Sequence, residues 1–298
     1  MNKQKIEILY TFNVKESKEL LTFLLEKLPN LSRNKIKGFL TRKQILVDGG
    51  VISQHNFKLS KGDVVQISKF GLKEIVKKTN NQKLDIIYED EDFIAINKPC
   101  GLLSVASDNE KQNNAYSLLM NYVRENNPQA RIYLLHRIDK ETSGVLVFSK
   151  NEKLHSILQL HWNDYVKTRE YVAICEGIFK NKKGEIKTNL LKNENNLMYS
   201  TNKKNIGQTA ITNYEVLKEN DKFSLVKVLI YTGRKNQIRV HMKELGHGVV
   251  GDEKYNIKAN PIGRLGLHAK TLSFIHPFKK TLMTFSTLVP KEFKKLFK

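Results

Sequence analysis

Cysteine, tryptophan and proline are scarce in this 298-residue chain, which has two, one and six of them. Cys100 and Cys175 stand far apart with no CxxC spacing. That excludes a disulfide framework and a thiolate zinc site, and both cysteines read as reduced packing residues. No apolar run nears the roughly 20 residues that cross a bilayer. The polar start Met1-Asn2-Lys3-Gln4-Lys5 lacks the apolar core of a secretory signal, so a cytosolic protein is expected. A GxxxxGK run is missing, which excludes a P-loop nucleotide enzyme. His136, His241, His268 and His276 lie near acidic residues, but no HExxH pair or carboxylate cluster at ligand spacing accompanies them, so no metal is expected. Internal repeats, heptads and long low-complexity tracts are also absent. Acidic residues are in deficit: 30 Asp and Glu face 51 Lys and Arg, a formal charge of +21. Such an excess favours a polyanion partner through counterion release, with nucleic acid first among candidates. An A+T-rich genome would also raise Lys and Asn.

A hydrophobic content of 40% over this length supplies cores for one large or two ordinary domains. Residues 1–70 form the first of these. The first eighty residues hold 16 Lys and Arg against 7 Asp and Glu. Leu20, Leu21, Leu24, Leu25 and Leu28 recur at helical spacing, and Ser32 is placed to cap a second helix with Ile36, Phe39 and Leu40 inward. Arg33, Lys35, Lys37, Arg42 and Lys43 fall on or beside that helix. A strand over Ile45-Leu46-Val47, a turn at Asp48-Gly49-Gly50 and a strand from Gly62 to Ile67 complete the unit. Residues 71–83, with Lys77-Lys78-Thr79-Asn80-Asn81 at their centre, read as a linker. From Leu84 to the end, strands alternate with short helices without βαβ spacing. The fold class expected is therefore α+β with a mixed, mainly antiparallel sheet. Asn181 to Asn205, rich in Lys and Asn, reads as a surface excursion with a hairpin.

The densest chemistry lies between two apolar runs, Tyr133-Leu134-Leu135 and Val145-Leu146-Val147-Phe148, which read as buried strands. The loop between them, His136-Arg137-Ile138-Asp139-Lys140-Glu141-Thr142-Ser143-Gly144, sets one carboxylate among cations. The same residue types build ordinary turns, so the loop alone leaves a site and a turn both open.

The loop closely resembles the signature of the RluA-type pseudouridine synthases, which modify ribosomal and transfer RNA; Ile138 stands where their His-Arg-Leu-Asp has Leu. Three further blocks agree. Ile86 to Asp90 with Ile94-Ala95-Ile96-Asn97-Lys98-Pro99 and Gly101-Leu102 is similar to the family's opening strand-turn-strand. Arg169-Glu170-Tyr171-Val172-Ala173-Ile174 is similar to its tyrosine strand. The third runs from Thr232-Gly233-Arg234-Lys235-Asn236-Gln237-Ile238-Arg239-Val240-His241 through Gly251-Asp252, Tyr255 and Leu267-His268-Ala269 to His276-Pro277. Asn236, where many members have His, and Gly248, where Pro commonly follows the His, depart from the pattern; neither is expected to touch a catalytic residue. Residues 15–68 are similar to the small RNA-binding domain named after ribosomal protein S4, an αα-β unit that commonly precedes the catalytic domain.

The resemblance implies an RNA pseudouridine synthase, an isomerase that breaks the bond between uracil N1 and the ribose, turns the base and rejoins it through C5. It implies no cofactor. Asp139 would be the catalytic carboxylate, Arg239 its cation, and Tyr171 the ring stacked on the flipped base. Reading Gln237 to His241 as a strand puts Gln237, Arg239 and His241 on one face. Arg137 would fill the gap that the uridine leaves. His136, Thr142, Arg234 and Gln237 would bind substrate, and the basic N-terminal unit would grip structured RNA. Large-subunit ribosomal RNA is the expected partner, with transfer RNA and a non-catalytic RNA-binding or ribosome-assembly role as the alternatives, and the protein is expected to be a monomer.

Overall fold

A computed structural model of the chain describes residues 7–69, 84–107, 110, 113–201, 203 and 206–297. The chain divides into two compact units, Met1–Gln82 and Lys83–Lys298. The linker expected over 71–83 lies outside the described residues.

The first unit runs β1 (Ile8–Asn13), β2 (Lys18–Glu19), α1 (Leu20–Lys27), α2 (Arg33–Thr41), β3 (Ile45–Val47), β4 (Gly50–Val51), β5 (Lys58–Leu59) and β6 (Val64–Ser68). The Ser32 hydroxyl accepts from the Lys35 amide at 3.3 Å, which satisfies one of the free N–H groups at the start of α2. Leu20, Leu21 and Leu24 of α1 and Ile36, Phe39 and Leu40 of α2 are buried with Ile45, Val47, Val65 and Ile67 in one core. Four strands form a sheet in the order β1-β6-β3-β4. Asp48 and Gly49 turn β3 into β4 with φ of 48° and 76°, the positive values that match a tight hairpin to the twist of its strands.

The second unit runs β7 (Asp85–Glu89), β8 (Phe93–Lys98), α3 (Ala115–Asn126), β9 (Tyr133–Leu134), β10 (Ser143–Ser149), α4 (Glu152–Leu160), α5 (Trp162–Tyr165) and β11 (Val166–Glu176). It continues with β12 (Lys183–Lys192), β13 (Met198–Thr201), β14 (Gln208–Glu219), β15 (Phe223–Ile230) and α6 (Gln237–Glu244). The 3-10 turn Glu253–Tyr255, β16 (Leu267–Ile275), β17 (Leu282–Ser286) and α7 (Lys291–Lys295) close it. Eleven strands form one sheet in the order β13-β12-β14-β15-β11-β16-β10-β8-β7, with β17 beside β16 and β9 beside β10. Among the described pairings of this sheet only β10 with β16 is parallel. The fold is α+β, with a mixed, mainly antiparallel sheet.

The unbroken apolar runs of β8 and β10 follow from burial on both faces. Phe93, Ala95, Val145 and Val147 pack with Leu154 and Leu158 of α4. Ile94, Ile96, Leu146 and Phe148, the alternate residues, pack with Ala115 and Leu119 of α3. Gly144 makes the parallel pairing possible. Its φ is +115°, and a Cβ there would stand 2.1 Å from the Ala269 carbonyl oxygen of β16.

Two sequence expectations change. The segment expected as a surface excursion does contain a hairpin, β12 with β13, but β12 also pairs with β14 over eight residues and extends the main sheet. Gln237 to His241 is not a strand but the start of α6. Alternation of polar and apolar residues over five positions fits either period. The next turn decides it: Ile238 and Met242, four apart, share the core with Val226 and Val228 of β15, and Leu245 packs against it.

Candidate active site

Asp139 sits in the loop between β9 and β10, and that loop is clamped from behind by the segment after β8. The Ser104 hydroxyl donates to the Ile138 carbonyl at 2.8 Å and accepts from its amide at 3.3 Å. The Gly101 amide donates to the Lys140 carbonyl at 2.9 Å. Lys98, fully buried, donates to the carbonyls of Pro99, Leu102 and Lys140 at 2.9, 2.6 and 3.0 Å. Burial pushes its ammonium down to about 8. With the Thr142 amide donating to the Asp139 carbonyl at 3.1 Å, the backbone on both sides of the carboxylate is fixed.

A cavity of about 330 Å³ opens beside it, in the size range of small-molecule sites. Tyr171 of β11 lines it, as do Arg137 and Thr142 of the loop and Arg234, Asn236 and Arg239 from the start of α6. Burial, then the charge of Asp139, holds the Tyr171 hydroxyl protonated, pushed up to about 12 although Arg169 opposes the shift. A second cavity, of about 470 Å³, shares Asp139, Asn236 and Arg239 and adds Lys140, Lys254 and Arg264.

The two oxygens of Asp139 differ. Oδ2 accepts from Asn236 Nδ2 at 2.6 Å and from Arg239 Nη1 at 3.4 Å. No hydrogen bond from the described residues reaches Oδ1, and the side chain is 32% exposed. Arg239 is buried and gives most of its fork to Asp252: Nε reaches Oδ2 at 2.7 Å and Nη2 reaches Oδ1 at 2.5 Å. Burial opposes the Arg239 charge, but the bonds to Asp252 outweigh it and raise its pKa.

The helical geometry of α6 explains how Asn236 and Arg239 reach one oxygen. They are three residues apart and so lie on the same face. Asn236 enters the helix in the left-handed region, φ 55°, which Asn tolerates better than most residues. It was expected to touch no catalytic residue; instead it makes the shortest bond to Asp139. Its other end, Oδ1, accepts from Lys254 Nζ at 3.0 Å and the Tyr255 hydroxyl at 3.4 Å.

Among the other expected site residues, Arg137 is exposed at the cavity mouth and Thr142 is buried in its wall. Arg234 lines the cavity while its Nε donates to the Thr209 carbonyl at 3.0 Å. Gln237 lines it too, but its amide is spent on scaffold. Oε1 accepts from Thr232 and the Arg234 amide, and Nε2 donates to Ile211 and Thr212. His136 is not among the lining residues. Its Nε2 accepts from the Val147 amide at 3.1 Å and its ring stacks on Trp162. Burial, helped by Arg169, pushes it down to about 4, so the ring is neutral. The bond to Val147 ties this ring to β10. His241 lies between Thr188 and Thr212, His268 between Ser143 and Thr287, and His276 against Asp92. Lys254 and Asp252 were missed as functional candidates; the Gly251-Asp252 pair ahead of Tyr255 was the available signal. In the first unit Arg33, Lys35, Lys37, Arg42 and Lys43 are all exposed on or beside α2.

Residues 92–244 match the model of the family described as RNA pseudouridylate synthase. An uncharacterized RNA pseudouridine synthase of Aquifex aeolicus is 31% identical, over 98% of this chain and 97% of its own. The ribosomal large subunit pseudouridine synthase D of Buchnera aphidicola is 30% identical over 94% of each chain. The structure of human RNA pseudouridylate synthase domain containing 4 superposes with a TM-score of 0.58 at 23% identity, covering 70% of this chain and 90% of that one.

Proposed function

The chain belongs to the RNA pseudouridine synthase family, and from that premise we propose that Asp139 isomerises uridines of large-subunit ribosomal RNA. The enzyme class is an isomerase acting on RNA. The observation that carries the residue assignment is the asymmetry of the Asp139 carboxylate, which lines the cavity: two donors hold Oδ2, and among the described residues none bonds Oδ1. Pseudouridine formation breaks the bond from uracil N1 to ribose C1′ and makes one from C5 to C1′. The C5 proton leaves to solvent, and N1 gains one. Attack on the ribose, attack on the base and removal of a ribose proton all need one carboxylate oxygen not taken up by other donors, and Oδ1 is the candidate. Tyr171, protonated and in the cavity wall, offers a stacking face and a donor for the detached base. Arg137, at the exposed mouth, is the side chain placed to fill the space the uridine leaves.

The ribosomal target draws support from the Buchnera relative, named for the large ribosomal subunit, and from the charge of the first unit. We read that unit as an S4-like RNA-binding domain whose α2 cations grip phosphates. The protein would act in the cytosol as a monomer and without a cofactor.

The test is pseudouridine mapping by carbodiimide-blocked reverse transcription on ribosomal and transfer RNA transcripts, with the unaltered protein and Asp139→Asn and nothing else added. New stops in large-subunit RNA with the unaltered protein alone are expected. Stops confined to transfer RNA would move the target, and stops with Asp139→Asn would sink the role of the carboxylate.

A further inference from the structure

We propose that Asn236 and Lys254 form a positioning relay that orients Asp139 and sets its reactivity, a task the Arg239 guanidinium only shares. The inference rests on the synthase reading above and extends it to two residues outside that assignment.

Arg239 is poorly placed to do this alone. Two of its three nitrogens are engaged by Asp252, whose carboxylate is 1% exposed, so its charge is largely met before it reaches Asp139. The remaining Nη1 stands at 3.4 Å, the outer edge of a hydrogen bond. The Asn236 bond, at 2.6 Å, is much the shorter of the two and is charge-assisted by the carboxylate it donates to. A second source of polarisation lies behind it. Lys254 donates into the amide oxygen at 3.0 Å, and a donor on the carbonyl end strengthens the N–H end. The amide can face only one way, because a carboxylate only accepts and an ammonium only donates.

Two donors on one oxygen pin the carboxylate against rotation and leave Oδ1 as the free edge. That is an orientation effect, so it acts on turnover and not on RNA affinity. Lys254 is faced by Lys235 and Arg239, and by Asp139 and Asp252. Burial and then the two cations lower its pKa, against the two carboxylates. The relay therefore weakens on the alkaline side, at a pH below that at which an ordinary lysine titrates.

The experiment is tritium release from in vitro transcribed ribosomal and transfer RNA carrying 5-tritiated uridine, with kcat and KM measured across pH. Asn236→Asp keeps the left-handed backbone but turns the donor into an anion. A kcat loss of about 100-fold with KM within about threefold is expected, in line with loss of one aligned donor. Asn236→His, which also tolerates this backbone and restores an N–H, should recover to within about tenfold of the unaltered chain. Lys254→Met leaves α6 untouched and should cost about tenfold in kcat while removing the alkaline limb. Unchanged kcat in both Asn236→Asp and Lys254→Met, or a limb that persists in Lys254→Met, would overturn the relay. Failure of the unaltered chain to release tritium from any transcript would instead overturn the synthase reading beneath it.

Discussion

Replacing Gly144 by alanine tests whether the parallel pairing of β10 with β16 is as tight as its geometry. The added Cβ would lie 2.1 Å from the Ala269 oxygen, 2.7 Å from its carbon and 2.8 Å from its nitrogen, all backbone atoms that no rotamer change can move. Cβ contacts do not go below 3.0 Å, so β10 and β16 must part by about an ångström. The φ of +115° adds about 1–3 kcal/mol of strain for an L-residue. Overpacking adds a further 1–3 kcal/mol or so. Loss of unfolded-state freedom offsets roughly 0.4–1 kcal/mol. The net cost is about 3 kcal/mol, or roughly 6–12 °C in Tm for a unit of this size. Trp162 is the single tryptophan and belongs to the second unit, so its fluorescence during urea unfolding reports that unit alone. Because Asp139 lies just before β10, the same displacement should lower kcat by about 100-fold. A destabilisation under about 1 kcal/mol would refute the clash argument.

Removing three exposed cations of α2 together, as Arg33→Ala, Lys35→Ala and Lys37→Ala, should weaken RNA binding and flatten the log–log salt dependence by about 2–3, with kcat preserved. An unchanged salt slope would show that α2 does not meet phosphates. The second unit should also be acid-labile. Burial pushes His241 and His268 down to about 4. The unfolded chain, with imidazoles near 6.5, then binds more protons between those values. Stability is full above pH 6.5 and falls toward pH 4, by on the order of 3 kcal/mol for each imidazole. Urea unfolding through Trp162 at pH 7 and pH 4.5 measures this, and His268→Gln should show the shallower decline; equal stability at both values would refute it.

Much of this was legible in the residues because local chemistry and tertiary context agree. Ser32 caps α2, Asp48-Gly49 makes the tight hairpin, and the apolar runs of β8 and β10 are buried on both faces. The Asp139 loop stood out because a dense polar cluster sits between two apolar runs that read as strands. What stayed hidden depends on side-chain direction. The start of α6 alternates over too few residues to separate the two periods, and a strand reading sends Asn236 and Arg239 to opposite faces. Only the helix brings them together on Asp139. His136 and Gln237 have the right chemistry for a site, but their bonds go to Val147, Thr232, Ile211 and Thr212. Asp252 takes most of Arg239, a pairing that no sequence spacing reveals.

The place of β16 in the sheet governs when the enzyme can come into being. It lies between β11 and β10, yet it follows both, and every strand of the two sets it joins, in chain order. Before it emerges from the ribosome, β10, β8 and β7 have no hydrogen-bonded route to β11, β15, β14 and β12. Asp139 belongs to the first set, Tyr171 to the second, and Arg239 to a helix packed on the second. A nascent chain halted before residue 267 therefore lacks the strand pairing that joins the half of the sheet beside the carboxylate to the half beside its partners. Synthesis itself delays the chemistry until β16 slides into the middle of the sheet.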